Sequence, residues 1–186
     1  IEAVVAAMRA HGAHAGVQEH GCLALGNITA NNADNQVAAC RAGAVEAVVE
    51  AMRAHGAHAG VQEQGSGALR NLTANADNKV AAGRAGAVEA VVAAMRAHGA
   101  HAGVQKQGCQ ALRILTFNNA DNQVAAGRAG AIEAVVAAMR GHGAYAGVQA
   151  QGCWALRNLT VNADNQVAAG RAGAIEAVVA AMRGHG

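Results

Sequence analysis

Ile1–Gly43 reads IEAVVAAMRAHGAHAGVQEHGCLALGNITANNADNQVAACRAG, and the chain then repeats it with few changes. New copies open at Val45, Val88 and Ile132, and a further one begins at Ile175. Val45 to Val88 is a step of 43 residues and Val88 to Ile132 a step of 44. A period of this size marks a solenoid, in which each unit buries its apolar face only by stacking on its neighbours. Solenoids are mostly surfaces for holding other molecules. The question is therefore which face of the repeat does the holding.

Composition agrees with stacked thin helices better than with one globular core. The 186 residues suffice for a single domain, 1–186, and hydrophobic residues make up 53% of them. Yet the aromatics are only Trp154, Tyr145 and Phe117, so alanine and glycine must do most of the filling. Small side chains let helix axes approach closely. There is no proline, no serine-rich linker and no run of like charge, so no internal boundary is expected. A net charge of +2 gives no case for nucleic acid. No apolar run approaches the ~20 residues of a membrane span, and no signal peptide opens the chain. The chain begins inside one repeat and stops inside another, as an excerpt of a longer array would.

Cys22, Cys109 and Cys153 share one repeat column, where Ser66 fills the fourth place. Equivalent positions in adjacent helices lie roughly 10 Å apart, whereas a disulfide needs Cα atoms about 4.4–6.8 Å apart. Reduced core thiols in an intracellular, cytoplasmic protein are expected.

Each repeat divides into three helices at glycine and asparagine. A short one is expected over Asn35–Ala42, capped by Asn32 and ended by Gly43, with Asp34 favouring the dipole. The second, Ala44–His55, places Val45, Val48, Val49 and Met52 at i, i+3, i+4 and i+7 and closes at Gly56. The third, about Ala59–Ala74, carries Val61, Gly65, Leu69 and Leu72 on one stripe. Gly65 recurs as Gly21, Gly108 and Gly152. Glycine inside a helix costs about 1 kcal/mol against alanine, so another helix should pass close by there.

This pattern resembles the armadillo repeat. The resemblance rests on the Ala-Gly-Ala-[Val/Ile] turns at Ala42–Val45, Ala85–Val88, Ala129–Ile132 and Ala172–Ile175, and on the third-helix string CWALRNLT at Cys153–Thr160. It implies an all-α, right-handed superhelix of about four three-helix repeats, with the third helices lining a concave groove. The family often has proline near the start of the second helix, where this chain has Glu46, Glu89, Glu133 and Glu176. Glutamate serves well in a first turn, so the fold should not change. HEAT repeats, the nearest rival, usually lack the separate short first helix.

Variation between the copies is concentrated in the third helix. Its most variable columns are Leu23/Gly67/Gln110/Trp154, Asn27/Asn71/Ile114/Asn158 and Ala30/Ala74/Phe117/Val161. These fall at i, i+4 and i+7 and share one face. A neighbouring column reads Gly26/Arg70/Arg113/Arg157, and one turn earlier lies His20/Gln64/Gln107/Gln151. Variation confined to one stripe marks a solvent-facing surface. Neutral drift would explain it too, but the exposed positions of the other helices have hardly drifted.

In peptide-binding armadillo proteins a tryptophan and an asparagine four residues later recur along the groove. There the asparagines bond an extended peptide backbone and the tryptophans form side-chain slots. Trp154 and Asn158 match that pair, Asn27 and Asn71 match its second half, and Gln110 and Ile114 match neither. The resemblance thus implies a peptide held by Asn27, Asn71, Asn158 and Trp154, in a candidate groove that Gln110, Ile114 and Phe117 of the same variable columns also line. Arg70, Arg113 and Arg157 have no acidic residue in their columns, which suits an extended acidic peptide.

Other chemistries find little support. Histidine pairs recur at His11/His14, His55/His58 and His98/His101, and Tyr145 follows His142. No cysteine or carboxylate recurs beside them, so helix-end imidazoles rather than a zinc site are expected. Asp34, Asp77, Asp121 and Asp164 start helices. No phosphate loop, nucleophile elbow or HExxH is present. Trp154 and Phe117 do not make the stacking series an RNA-binding array needs. The expectation is a non-catalytic protein- or peptide-binding scaffold with no cofactor, metal, nucleic acid or membrane. Its rival is a purely structural, self-associating or engineered scaffold. The ends should expose Ile1, Val4 and Val5 on one side and Ile175, Val178 and Val179 on the other, favouring end-to-end homo-oligomers.

Overall fold

The computed structural model describes residues 1–184, and every regular element among them is an α-helix. Helices α1 (Glu2–Ala10) and α2 (Ala15–Thr29) are followed by three triplets. These are α3 (Ala33–Arg41), α4 (Ala44–Ala54) and α5 (Ala59–Leu72), then α6 (Ala76–Ala85), α7 (Ala87–Ala97) and α8 (Ala102–Thr116), then α9 (Ala120–Ala129), α10 (Ala131–Gly141) and α11 (Ala146–Leu159). Helices α12 (Ala163–Ala172) and α13 (Ala174–Gly184) complete the described chain.

Asparagine sets where each triplet starts. Asn32 Oδ1 accepts the Asn35 N–H at 3.0 Å, and Asn75, Asn119 and Asn162 do the same three residues on. The first helix therefore begins at Ala33 rather than Asn35, and with 9 or 10 residues it is scarcely shorter than the 11-residue second helix. Gly43, Gly86, Gly130 and Gly173 turn the chain between the two at φ 77°, 78°, 75° and 76°, the left-handed region where glycine carries no Cβ penalty. The second helix does not close on glycine as expected. Its C-cap is His55, at φ −115°, and Gly56 lies in the turn beyond without a positive φ.

Two kinds of packing build the core. Within a triplet, Val45, Val48, Val49 and Met52 of α4 are all at most 2% exposed. A Cβ placed on Gly65 would lie 2.6 Å from the Met52 Cγ and 2.8 Å from its sulfur, so the recurring glycine makes room for a methionine side chain rather than a second backbone. Between triplets, α2, α5, α8 and α11 pack side by side.

Polar ladders run both within the triplets and between them. Gln62 Nε2 donates to the carbonyls of Met52 and His55, each at 2.9 Å, and Gln18, Gln105 and Gln149 repeat the arrangement. Asn122 Nδ2 of α9 donates to Lys79 O (3.1 Å) and Leu115 O (2.9 Å), both in the preceding triplet. Arg53, Arg96 and Arg140 donate to carbonyls at the end of the next first helix.

The histidine pairs divide these labours. His55, His98 and His142 donate Nε2–H to the preceding repeat's Gly12, Gly56 and Gly99 carbonyls at 2.7–2.8 Å. The second histidine of each pair caps the following helix as a neutral acceptor: His58 Nδ1 takes the Val61 N–H at 3.3 Å. His14 and His101 act likewise, and Tyr145 makes no side-chain cap.

The ends differ from one another. Ile175 is 69% and Val179 39% exposed, with Val178 half-buried. At the other end Ile1 and Val4 are half-buried, but Val5 is only 2% exposed, contrary to expectation. Val5 and Met8, at i and i+3, face inward where α1 packs on both α2 and α4.

All four thiols are free: Cys22 and Cys109 are buried, Cys40 and Cys153 half-buried. Burial pushes the Cys22 and Cys109 thiols up to about 12. In the native state a thiol reagent near pH 8 should therefore modify Cys40 and Cys153, leaving Cys22 and Cys109 until urea unfolds the chain. Equal native reactivity of all four would contradict this packing.

Candidate functional site

The face in question is the outer stripe of α2, α5, α8 and α11, whose other side is fixed by buried leucines. Leu25, Leu69, Leu112, Leu115 and Leu159 are fully buried, so their helices present the intervening residues outward in register.

The asparagines are partly committed to the stack itself. Asn71 Nδ2 donates to Gly26 O and Asn158 Nδ2 to Arg113 O, both at 2.8 Å, each reaching the third helix of the preceding repeat. Asn71 Oδ1 also accepts from Arg70 Nε at 3.1 Å. Asn158 is 7% exposed, while Asn27 is exposed. Ile114 is half-buried and, being apolar, cannot make the same bridge to the Arg70 carbonyl. Instead Gln110 Oε1 accepts from Arg70 Nη1 at 2.7 Å and joins those two repeats through side chains. Sequence alone did not show that this column staples the repeats.

Trp154 is 48% exposed and is not an empty slot. Arg113 lies over its indole at 5.5 Å from the ring centroid and Arg157 at 5.3 Å. Contacts of this kind hold a guanidinium in place while leaving its N–H edge available. Arg113 is half-buried, and its Nε is buried with no hydrogen-bond partner.

The electrostatics of the stripe are one-sided. Among the described residues no arginine pairs with a carboxylate; the imidazoles of His58 and His101 lie 3.8 Å from Glu19 and Glu63. Burial pushes the Arg70 guanidinium below its ordinary range, and repulsion from Arg113 adds to the effect. Arg70, Arg113 and Arg157 therefore form a cationic row without internal counter-charge.

Beyond the row stands Phe117, the C-cap of α8 and 49% exposed. Its carbonyl accepts from Lys79 Nζ at 3.1 Å, and the same ammonium lies 5.1 Å from its ring centroid. Sequence reading passed over Lys79, although it breaks a glutamine column: Gln36, Gln123 and Gln166 occupy the equivalent places.

No family model matches the chain, and no curated protein does. Solved structures do. Two crystal structures described as engineered proteins superpose with a TM-score of 0.83 each. The first is 26% identical to this chain over 95% of its length and 70% of the other's. The second is 24% identical over 95% of this chain and 69% of that one. The all-helical repeat architecture thus has experimental counterparts. Among the described residues no helix is long and apolar enough to cross a membrane.

Proposed function

We propose that this chain is an armadillo-type solenoid that binds an extended acidic peptide along the third-helix face, without catalysis, inside the cell. The arginine row carries this reading: three guanidiniums in successive repeats with no carboxylate to offset them. An anionic side chain would relieve the repulsion between Arg70 and Arg113, and arginine's fork matches a carboxylate. The recurring spacing supports an extended ligand, since helices about 10 Å apart span three residues of a strand rising about 3.3 Å each. The second N–H of the Asn158 amide remains for the ligand's backbone.

An array of extended acidic and basic peptides tests the reading. Acidic sequences should bind, and affinity should fall as salt screens the row. Preference for lysine-rich peptides would overturn it, and binding of neither kind would leave a purely structural scaffold.

A further inference from the structure

The loop after α8 forms a cavity that the charge argument does not use. Asn118 takes the left-handed region at φ 50°, accommodating the extra residue of a 44-residue repeat. Lys79, only 7% exposed, then fixes Phe117 from the α6 side through its carbonyl and ring. The corresponding glutamines behave differently, bonding back to Thr29 O, Thr116 O and Thr160 O at 2.9–3.0 Å at the end of the preceding third helix. Lys79 is thus the one member of its column that reaches forward, to the end of the third helix of its own triplet.

Against this fixed ring lies an open cavity of about 420 Å³ lined by Thr116, Phe117, Asn119, Gln123, Arg157 and Val161, among others. Its apolar walls are Phe117 and Val161, which is 69% exposed. Those two belong to one repeat column whose earlier members are Ala30 and Ala74, too small to build such walls. Arg157 belongs to both features: it lines the cavity and lies over Trp154. An apolar recess and a free cationic edge therefore adjoin at one place on the face.

We propose that this cavity receives an apolar side chain of the acidic peptide, placed next but one to a carboxylate held by Arg113 and Arg157. In an extended strand such side chains point the same way about 7 Å apart, a reach compatible with an arginine that borders both. The inference rests on the acidic-peptide reading and adds to it a composition rule: acid and aliphatic residues alternate with small ones.

Three fluorescein-labelled peptides separate the two ideas: SESLSES, SESASES and SKSLSKS, each palindromic so that chain direction does not matter. Anisotropy titrations with the whole chain at low salt should show SESLSES binding about tenfold more tightly than SESASES, as leucine burial predicts. Val161→Ser, at a position too exposed to threaten folding, should collapse that ratio toward one. Equal binding of SESLSES and SESASES by the unaltered chain overturns the cavity assignment and leaves the acidic-peptide reading standing. A tenfold ratio that survives Val161→Ser also overturns it, because the leucine then sits elsewhere. Preference for SKSLSKS, or no binding of any of the three, removes both.

Discussion

Replacing Gln105 by leucine should lower the unfolding free energy by about 1–3 kcal/mol, although leucine is apolar and the site is buried. Gln105 is 1% exposed, and its amide donates to Met95 O at 2.9 Å and His98 O at 2.8 Å. Met95 lies in the last turn of α7, where no further helical N–H follows to satisfy its carbonyl, and His98 is the C-cap. Leucine would leave Met95 O unpaired and His98 O with only the His101 N–H, at 2.9 Å. Gln166→Leu is the control: that glutamine is exposed and makes a single bond to Thr160 O at 2.9 Å, so its loss should stay within about 0.5 kcal/mol. Urea denaturation measures both. Because stability in a repeat array passes between neighbours, hydrogen exchange should localise the Gln105→Leu effect to α7 and α8. An unchanged midpoint would mean that the carbonyls find other donors.

That glutamine also shows where sequence reading stops. The 3.6-residue periodicity of Val45, Val48, Val49 and Met52 and the glycine turns were legible, because apolar spacing and positive φ leave direct marks in a sequence. A recurring polar residue leaves an ambiguous mark. Gln18, Gln62, Gln105 and Gln149 are invariant, but nothing local says that they turn inward to close the preceding helix. The asparagine column posed the same difficulty. Asn71 and Asn158 sit on the variable face, yet each bonds a carbonyl more than forty residues earlier, and only the stacking of α2 with α5 and of α8 with α11 creates that partner. Val5 was misplaced because the second face of α1, against α4, is likewise a product of stacking.

Trp154→Ala should weaken acidic-peptide binding by roughly 1–3 kcal/mol, more than Asn71→Ala. Asn71 already has Gly26 O and Arg70 as partners, so little of its bonding capacity faces a ligand. Trp154 acts through the guanidiniums of Arg113 and Arg157, which its indole holds at 5.5 and 5.3 Å. Without the ring both arginines regain rotamer freedom, and binding must then order them again. This positioning role differs from a simple contact in a measurable way. In a double-mutant cycle, the losses from Trp154→Ala and Arg113→Ala should add to less than their sum, because each removes the same arranged cation. Trp154→Phe should recover part of the affinity, since a smaller π-face still attracts a guanidinium. As the chain has a single tryptophan, ligand-induced change in its emission reads the same site directly. Strictly additive losses, or unchanged affinity in Trp154→Ala, would reduce the tryptophan to an exposed ring beside the row and place the binding energy in the arginines alone.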